Sequence, residues 1–169
     1  MNPTLSAWNE AEAPAALDAM LACCGARRWA EAMVALRPIA SVMELSTAAD
    51  RIWSTVEEAD WMEAFACHPR IGECKAPRAS RKSAAWSRQE QLSAGRADEQ
   101  VLAGLAAGNL LYEQRFGFTY IVCATGRRAE EMLAILKRRL SSDRAAELRE
   151  AAEQQRQITQ IRLGKWLVE

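Results

Sequence analysis

Apolar residues recur every three to four positions along nearly the whole chain, and that spacing restricts the fold to packed amphipathic helices. Leu17, Met20, Leu21 and Cys24 form one stripe, Trp29, Met33 and Leu36 a second, and Val42, Leu45, Ala49, Ile52 and Trp53 a third. Gly25 and Pro38 punctuate them, because glycine tends to end a helix and proline cannot continue one. Val101, Leu105, Tyr112 and Phe116 continue the pattern, as do Met132, Leu133, Leu136 and Leu140. Phe118 to Cys123 is the one run with strand character, yet no other segment offers it a partner strand. The expectation is an all-α, single-domain helical bundle over residues 1–169, with an extended connector around residues 118–125. Cys74 to Arg81, containing Pro77, reads as a loop, and no internal repeat or linker is visible.

A chain of 169 residues, half of them hydrophobic, can bury one sizeable core. It contains no apolar run long enough to span a bilayer, and no signal-peptide pattern, lipidation motif or C-terminal peroxisomal address. A soluble, cytoplasmic protein without a membrane partner is expected. Five cysteines (Cys23, Cys24, Cys67, Cys74 and Cys123) make an odd set with no C-x-x-C pair. They fit buried thiols in a reducing compartment better than a disulfide framework or a zinc site.

Formal net charge is zero but unevenly placed. Residues 1–69 carry ten acidic and four basic side chains, whereas Arg70, Lys75, Arg78, Arg81, Lys82 and Arg88 stand with a single acid, Glu73, within residues 70–88. Such a stretch could concentrate a small anion; a solvated loop is the plainer alternative. Nucleic acid is not an expected partner, since Trp86 is the only aromatic there and no recognition motif appears.

The only histidine, His68, lies in His68-Pro69-Arg70-Ile71-Gly72-Glu73. Pro69 disfavours helix for the residue before it, so the helix suggested by Trp61, Met62, Phe65 and Ala66 should end near His68. A helix C-terminus favours imidazolium, which suits a general acid; a histidine hydrogen-bonded at a turn is the structural alternative. A long C-terminal helix, about Asp143 to Leu163, would place Leu148, Ala152, Gln155, Thr159 and Arg162 on one inward face. An inward arginine needs a carboxylate or a ligand anion, because it cannot deprotonate to escape burial. Ser87-Arg88-Gln89-Glu90-Gln91 has the form of a capping box opening a helix, with Trp86 as the staple. A helix N-terminus there would also suit a carboxylate or ureide.

These segments, with Phe116 to Gly126, Gln157 to Leu163, Cys23 to Trp29 and Arg37-Pro38, occur in the expected order over nearly the whole chain. Together they resemble the OHCU decarboxylase family, named for 2-oxo-4-hydroxy-4-carboxy-5-ureidoimidazoline. The resemblance implies an all-α homodimer that uses no cofactor and no metal and makes (S)-allantoin as the last step from urate. It assigns His68 as the catalytic acid, with Glu90 and Arg162 as the polar groups around an anionic ureidoimidazoline. Pro69, Ser87, Gln91 and the backbone of Tyr120, Ile121, Val122, Cys123 and Ala124 become substrate lining. Cys67 and Cys123 flank these segments, but decarboxylation needs no thiolate, so both are expected to be buried and inert. Arg127 and Arg128 depart from the family pattern, standing where family members often carry a small polar helix cap. The competing reading is a non-catalytic helical interaction or ligand-binding module.

Overall fold

The computed structural model describes residues 2–73, 78–92 and 97–169. Among them are nine helices and no strand: α1 (Pro3–Glu10), α2 (Ala13–Cys23), α3 (Arg27–Ala35), α4 (Val42–Trp53), α5 (Glu58–Phe65), α6 (Arg81–Glu90), α7 (Glu99–Phe116), α8 (Ala129–Arg139) and α9 (Arg144–Trp166). No helix among the described residues is long and apolar enough to cross a membrane. The chain divides into two compact units, Met1–Ala64 with Arg156–Glu169, and Phe65–Gln155. Helix α9 contributes its residues up to Gln155 to the second unit and those from Arg156 onward to the first.

In the first unit the expected stripes supply much of the core, with Met20, Cys24, Trp29, Met33, Leu45, Ala49 and Trp53 buried, whereas Leu17, Leu21 and Ile52 are only half-buried. Met20, Cys23, Cys24, Trp29 and Met33 are fully buried and Leu45 nearly so. Each large apolar side chain removed from water in this way contributes about 1.5–3 kcal/mol. The tryptophans also use their N–H groups: Trp29 Nε1 donates to Ala49 O at 3.0 Å and Trp8 Nε1 to Ala16 O at 2.9 Å. Trp8 meets Trp166 edge to face at 6.0 Å. The end of α9 is tied to α4 by Arg156, paired with Asp50 at 3.0 Å, and by Gln160, which donates to Asp50 Oδ1 at 2.8 Å and accepts from Ser46 Oγ at 2.7 Å. Leu36 and Val42 depart from the expected stripes, at 40% and 43% exposed. Both sit at helix ends flanking the Pro38 turn, and periodicity does not reveal where a helix outruns its neighbours.

In the second unit α7 lies against α8. Gly104 and Gly108 permit the approach: a Cβ on Gly108 would stand 2.5 Å from Leu136 Cδ2, and one on Gly104 2.9 Å from Leu133 Cδ2. Gly117, at φ +82°, caps α7 in the left-handed region and turns the chain into residues 118–124, which lie in neither helix nor strand and are buried but for Thr119, which is half-buried. A buried polar cluster holds that connector. Arg139 Nε donates to Glu147 Oε1 at 2.6 Å, its Nη1 donates to Ile121 O at 2.6 Å, and Tyr112 Oη donates to the same Glu147 oxygen. The guanidinium stands 5.0 Å from the Tyr120 ring, and Tyr120 Oη donates to Met132 O at 3.1 Å. Burial alone would lower the Arg139 pKa, but the Glu147 hydrogen bond and the surrounding charges reverse that and raise it. Burial also pushes both tyrosine hydroxyls above their ordinary range, against the opposing influence of Arg139.

Helix α6 corrects one expectation. Its N-cap is Ser80, whose Oγ accepts from Ser83 N at 3.1 Å, so Ser87 and Glu90 lie in the last turn rather than forming a capping box at the first. The helix had already begun at Arg81, and the buried Trp86 is an interior residue of it, not a staple. The local Ser-x-x-Glu pattern is compatible with either placement, and packing of Ser83, Trp86 and Ser87 decides it. The helix N-terminus invoked there for anion binding is therefore absent at Ser87. Of the expected loop, Cys74 to Pro77 lies outside the described residues. Arg127 and Arg128 acquire local partners: Arg127 Nε donates to Cys123 O at 3.0 Å, and Glu131 accepts from Arg128 N at 2.7 Å. Glu130 and Glu131 in the first turn of α8 offset the two cations at its positive end.

Replacing Glu147 by Leu is expected to lower the unfolding free energy by about 3–5 kcal/mol in urea titration, because Arg139 would be left buried without its carboxylate. Adding Arg139→Met should recover much of that loss. Tyr112 and Tyr120 are the only two tyrosines. Since their folded pKa values lie above the unfolded value of about 10, stability should be intact below about pH 10 and fall as pH rises beyond it. Ultraviolet titration should show tyrosinate appearing only together with loss of helical circular dichroism.

Candidate functional site

Helix α5 ends at Phe65, and His68 N donates to Phe65 O at 3.0 Å, so the imidazole stands just beyond a helix C-terminus as the sequence implied. Pro69 is buried and commits the chain to a turn whose residues are tied to two helices. Arg70 makes a two-pronged pair with Glu113 of α7, at 2.8 and 2.7 Å, and reaches Glu73 at 3.4 Å. Asn109 Nδ2, also on α7, donates to Ile71 O at 3.0 Å. Gly72, at φ +91°, donates its N–H to Gln91 Oε1 at 2.9 Å. A side chain at residue 72 would be strained in that left-handed conformation. Gln91, expected as substrate lining, thus serves the turn through its carbonyl oxygen.

These ties hold His68 in place. Its Nε2 lies 2.7 Å from Oε1 of Gln155, a fully buried residue of α9. Gln155 was legible as part of the inward stripe, but nothing in the sequence paired it with His68, 87 residues away. A cleft of about 490 Å³ opens beside the histidine, lined by Ala66, His68, Arg70, Glu73, Arg78, Glu113 and Thr119. Glu113 and Thr119 were not foreseen; Glu113 falls among the alanines, leucines and glutamines of α7 without a motif to mark it. The Glu113 hydrogen bond raises the Arg70 pKa further above its ordinary value and offsets its charge. Arg70 is consequently a structural cation rather than one that draws in a free anion. Arg78, Arg81 and Arg88 are exposed, Lys82 lies 5.1 Å over the Trp86 ring, and Lys75 falls outside the described residues.

The other expected residues lie on separate elements. Glu90 is half-buried and Ser87 buried, both in the last turn of α6, and neither is among the residues lining the His68 cleft. Arg162 is almost fully buried, and with Leu148, Ala152, Gln155 and Thr159 it completes the inward stripe of α9 in full. It belongs to the first unit, His68 and Glu90 to the second. In the connector, Cys123 N donates to Gln154 Oε1 at 2.9 Å, so that amide is already committed. No described residue accepts from the buried N–H groups of Ile121, Val122 or Ala124. Buried amides usually have partners, and a row of uncommitted ones suits a carbonyl or carboxylate oxygen. Cys123 is buried, but Cys67 is only partly so, with Sγ 3.6 Å from Arg78 O, which corrects its expected burial. No group of three or more His, Cys, Asp or Glu side chains among the described residues is arranged to hold a metal ion.

The profile of the OHCU decarboxylase family matches residues 9–164. The uric acid degradation bifunctional protein TTL of Arabidopsis thaliana is 38% identical over 149 residues, covering 88% of this chain. This chain spans only 46% of that bifunctional protein. The 2-oxo-4-hydroxy-4-carboxy-5-ureidoimidazoline decarboxylase of Amia calva is 32% identical over 75% of this chain and 73% of its own length. A crystal structure of OHCU decarboxylase in the presence of (S)-allantoin superposes with a TM-score of 0.78 at 34% identity, over 90% of this chain and 99% of the other. A structure of (S)-allantoin synthase, 17% identical with a TM-score of 0.71, covers 96% of this chain and 53% of its own and shares the fold.

Proposed function

The chain belongs to the OHCU decarboxylase family, and we propose that it converts 2-oxo-4-hydroxy-4-carboxy-5-ureidoimidazoline to (S)-allantoin as the final step of urate degradation. The observation that carries the reading onto this chain is the fixed histidine: its only imidazole sits at a helix C-terminus, on a turn anchored to α6 and α7, beside a cleft. Residues 1–169 act in this reading as one catalytic domain, a cytoplasmic homodimer that requires neither cofactor nor metal and binds neither nucleic acid nor membrane.

The substrate explains the lack of need for a cofactor. When the bond from C4 to the carboxylate breaks, the electron pair moves into a new C4–C5 double bond and the C5=N π pair moves onto nitrogen, which takes a proton. The resulting enol loses its hydroxyl proton as C5 gains one, giving the C4 carbonyl of allantoin. Overall one CO₂ leaves and one proton is taken up. The protein has to orient the carboxylate out of the ring plane, stabilise the charge on the ring and deliver the C5 proton to one face. His68 supplies or relays that proton, and Glu90 orients the ring and ureido N–H groups. Arg162 binds an anionic oxygen, for which a guanidinium's fixed fork is suited. Pro69, Ser87, Gln91 and the backbone of Tyr120 to Ala124 line the substrate, with the amides of Ile121, Val122 and Ala124 the better candidates for its carbonyl oxygens because Cys123 N is taken.

Freshly generated substrate should yield optically active (S)-allantoin, followed by circular dichroism, only with the intact protein. His68→Asn should slow that stereospecific rate by about 10²–10⁴-fold; an unchanged rate would remove His68 as the acid. Arg162→Lys should weaken substrate affinity, since one ammonium cannot reproduce a bidentate contact, and full retention of KM would sink the anion-clamp role. Racemic product at the spontaneous rate from the intact protein would return the chain to a ligand-binding or interaction role.

A further inference from the structure

Beyond the residues that the functional reading places on substrate, we infer that Gln155 is the positioning residue of His68: it fixes which imidazole nitrogen holds a permanent proton and leaves Nδ1 as the nitrogen that transfers one. The inference rests on the reading of His68 as the acid. Its physical basis is the 2.7 Å contact between His68 Nε2 and Gln155 Oε1. An amide oxygen only accepts hydrogen bonds, so Nε2 must be the donor and carries a proton in the neutral ring as well as in the cation. Gln155 is fully buried, whereas His68 is half-buried and lines the cleft, so the tether runs from an interior amide to a ring at the edge of that cleft.

A glutamine suits this task better than a carboxylate. A buried Asp or Glu would hold His68 as a permanent cation and hinder release of its proton, whereas a neutral amide orients the ring while leaving its proton exchangeable. The residues preceding Gln155 by one turn on α9 are Ala151 and Ala152, both buried and uncharged. The charged groups that line the cleft with His68 are Arg70 and Glu73 on its own turn, Arg78 before α6, and Glu113 on α7. Glu113 and Arg70 are paired with each other, and Glu90 of α6 is the further carboxylate in the functional reading. The charges lining the cleft are thus of both signs, and the Gln155 tether supplies a directional contact to Nε2.

Because His68 is the only histidine, ¹⁵N–¹H correlation of its ring reports on this contact without any assay of activity. The wild-type spectrum should show a slowly exchanging Nε2 proton in the neutral state. In Gln155→Met that proton should exchange rapidly, with kcat falling by about 10²-fold and KM nearly unchanged. Gln155→Glu should raise the His68 titration midpoint by about one unit or more, and the corresponding limb of the pH–rate profile should move with it. An unshifted midpoint in Gln155→Glu, or an Nε2 proton that exchanges equally fast with and without Gln155, would overturn the assignment even if (S)-allantoin is formed. If the wild-type protein forms none, the decarboxylase reading fails, and the spectra still decide the contact.

Discussion

The second unit depends on a charge that the chain cannot neutralise in any way except by folding. Arg139 is buried, and its guanidinium is satisfied by the Glu147 carboxylate, the Tyr112 hydroxyl and the carbonyl of Ile121. Those partners come from α9, α7 and the connector, so one side chain specifies the arrangement of three elements around α8. A buried ion pair of this kind contributes little net stability compared with apolar packing, but removing one partner is costly. The consequence for function is local. The connector runs from Gly117 to Arg128 without helix or strand, and its backbone groups keep a defined direction because Ile121 O is held by Arg139 and Cys123 N by Gln154.

The same logic explains the turn that carries His68. In His68-Pro69-Arg70-Ile71-Gly72-Glu73, most of the conspicuous residues are anchors rather than reactants. Arg70 pairs with Glu113, Ile71 O is held by Asn109, and Gly72 takes a left-handed conformation that presents its N–H to Gln91. What they position is the imidazole, and its location just past a helix C-terminus places partial negative charge near it. For the proton transfer proposed for His68, such anchoring would matter because a reacting group has to be held to a fraction of an ångström.

Several elements could be read from sequence because they follow from local periodicity. The five residues expected on the inward face of α9, including the polar Gln155, Thr159 and Arg162, are all buried, but the buried face is wider than the expected stripe and also takes in Glu147, Ala151, Gln154 and Ile158. The break between α7 and α8 was legible because Phe118 to Cys123 is aromatic and β-branched, lies between two glycines and lacks any partner strand. Ser87 and Glu90 were misplaced at a helix start because their spacing fits two positions on a helix equally well. The apolar Trp86, buried within α6, and the serine cap seven residues before Ser87 settle the choice. Glu113, Arg139 and Glu147 went unnoticed, each being an ordinary charged residue within a helical run.

The sequence by itself determined the helical class, the buried faces, the helix end at His68 and the family. Each of these depends on residues a few positions apart or on a motif in linear order. Only the tertiary structure decided which partners those residues meet: Gln155 for His68, Glu113 for Arg70, Glu147 for Arg139, and Gln154 for the amide of Cys123. Hydrogen bonds and ion pairs depend on distance and direction in space. Periodicity says that a polar residue faces inward, but not which polar group, dozens of positions away, is waiting there.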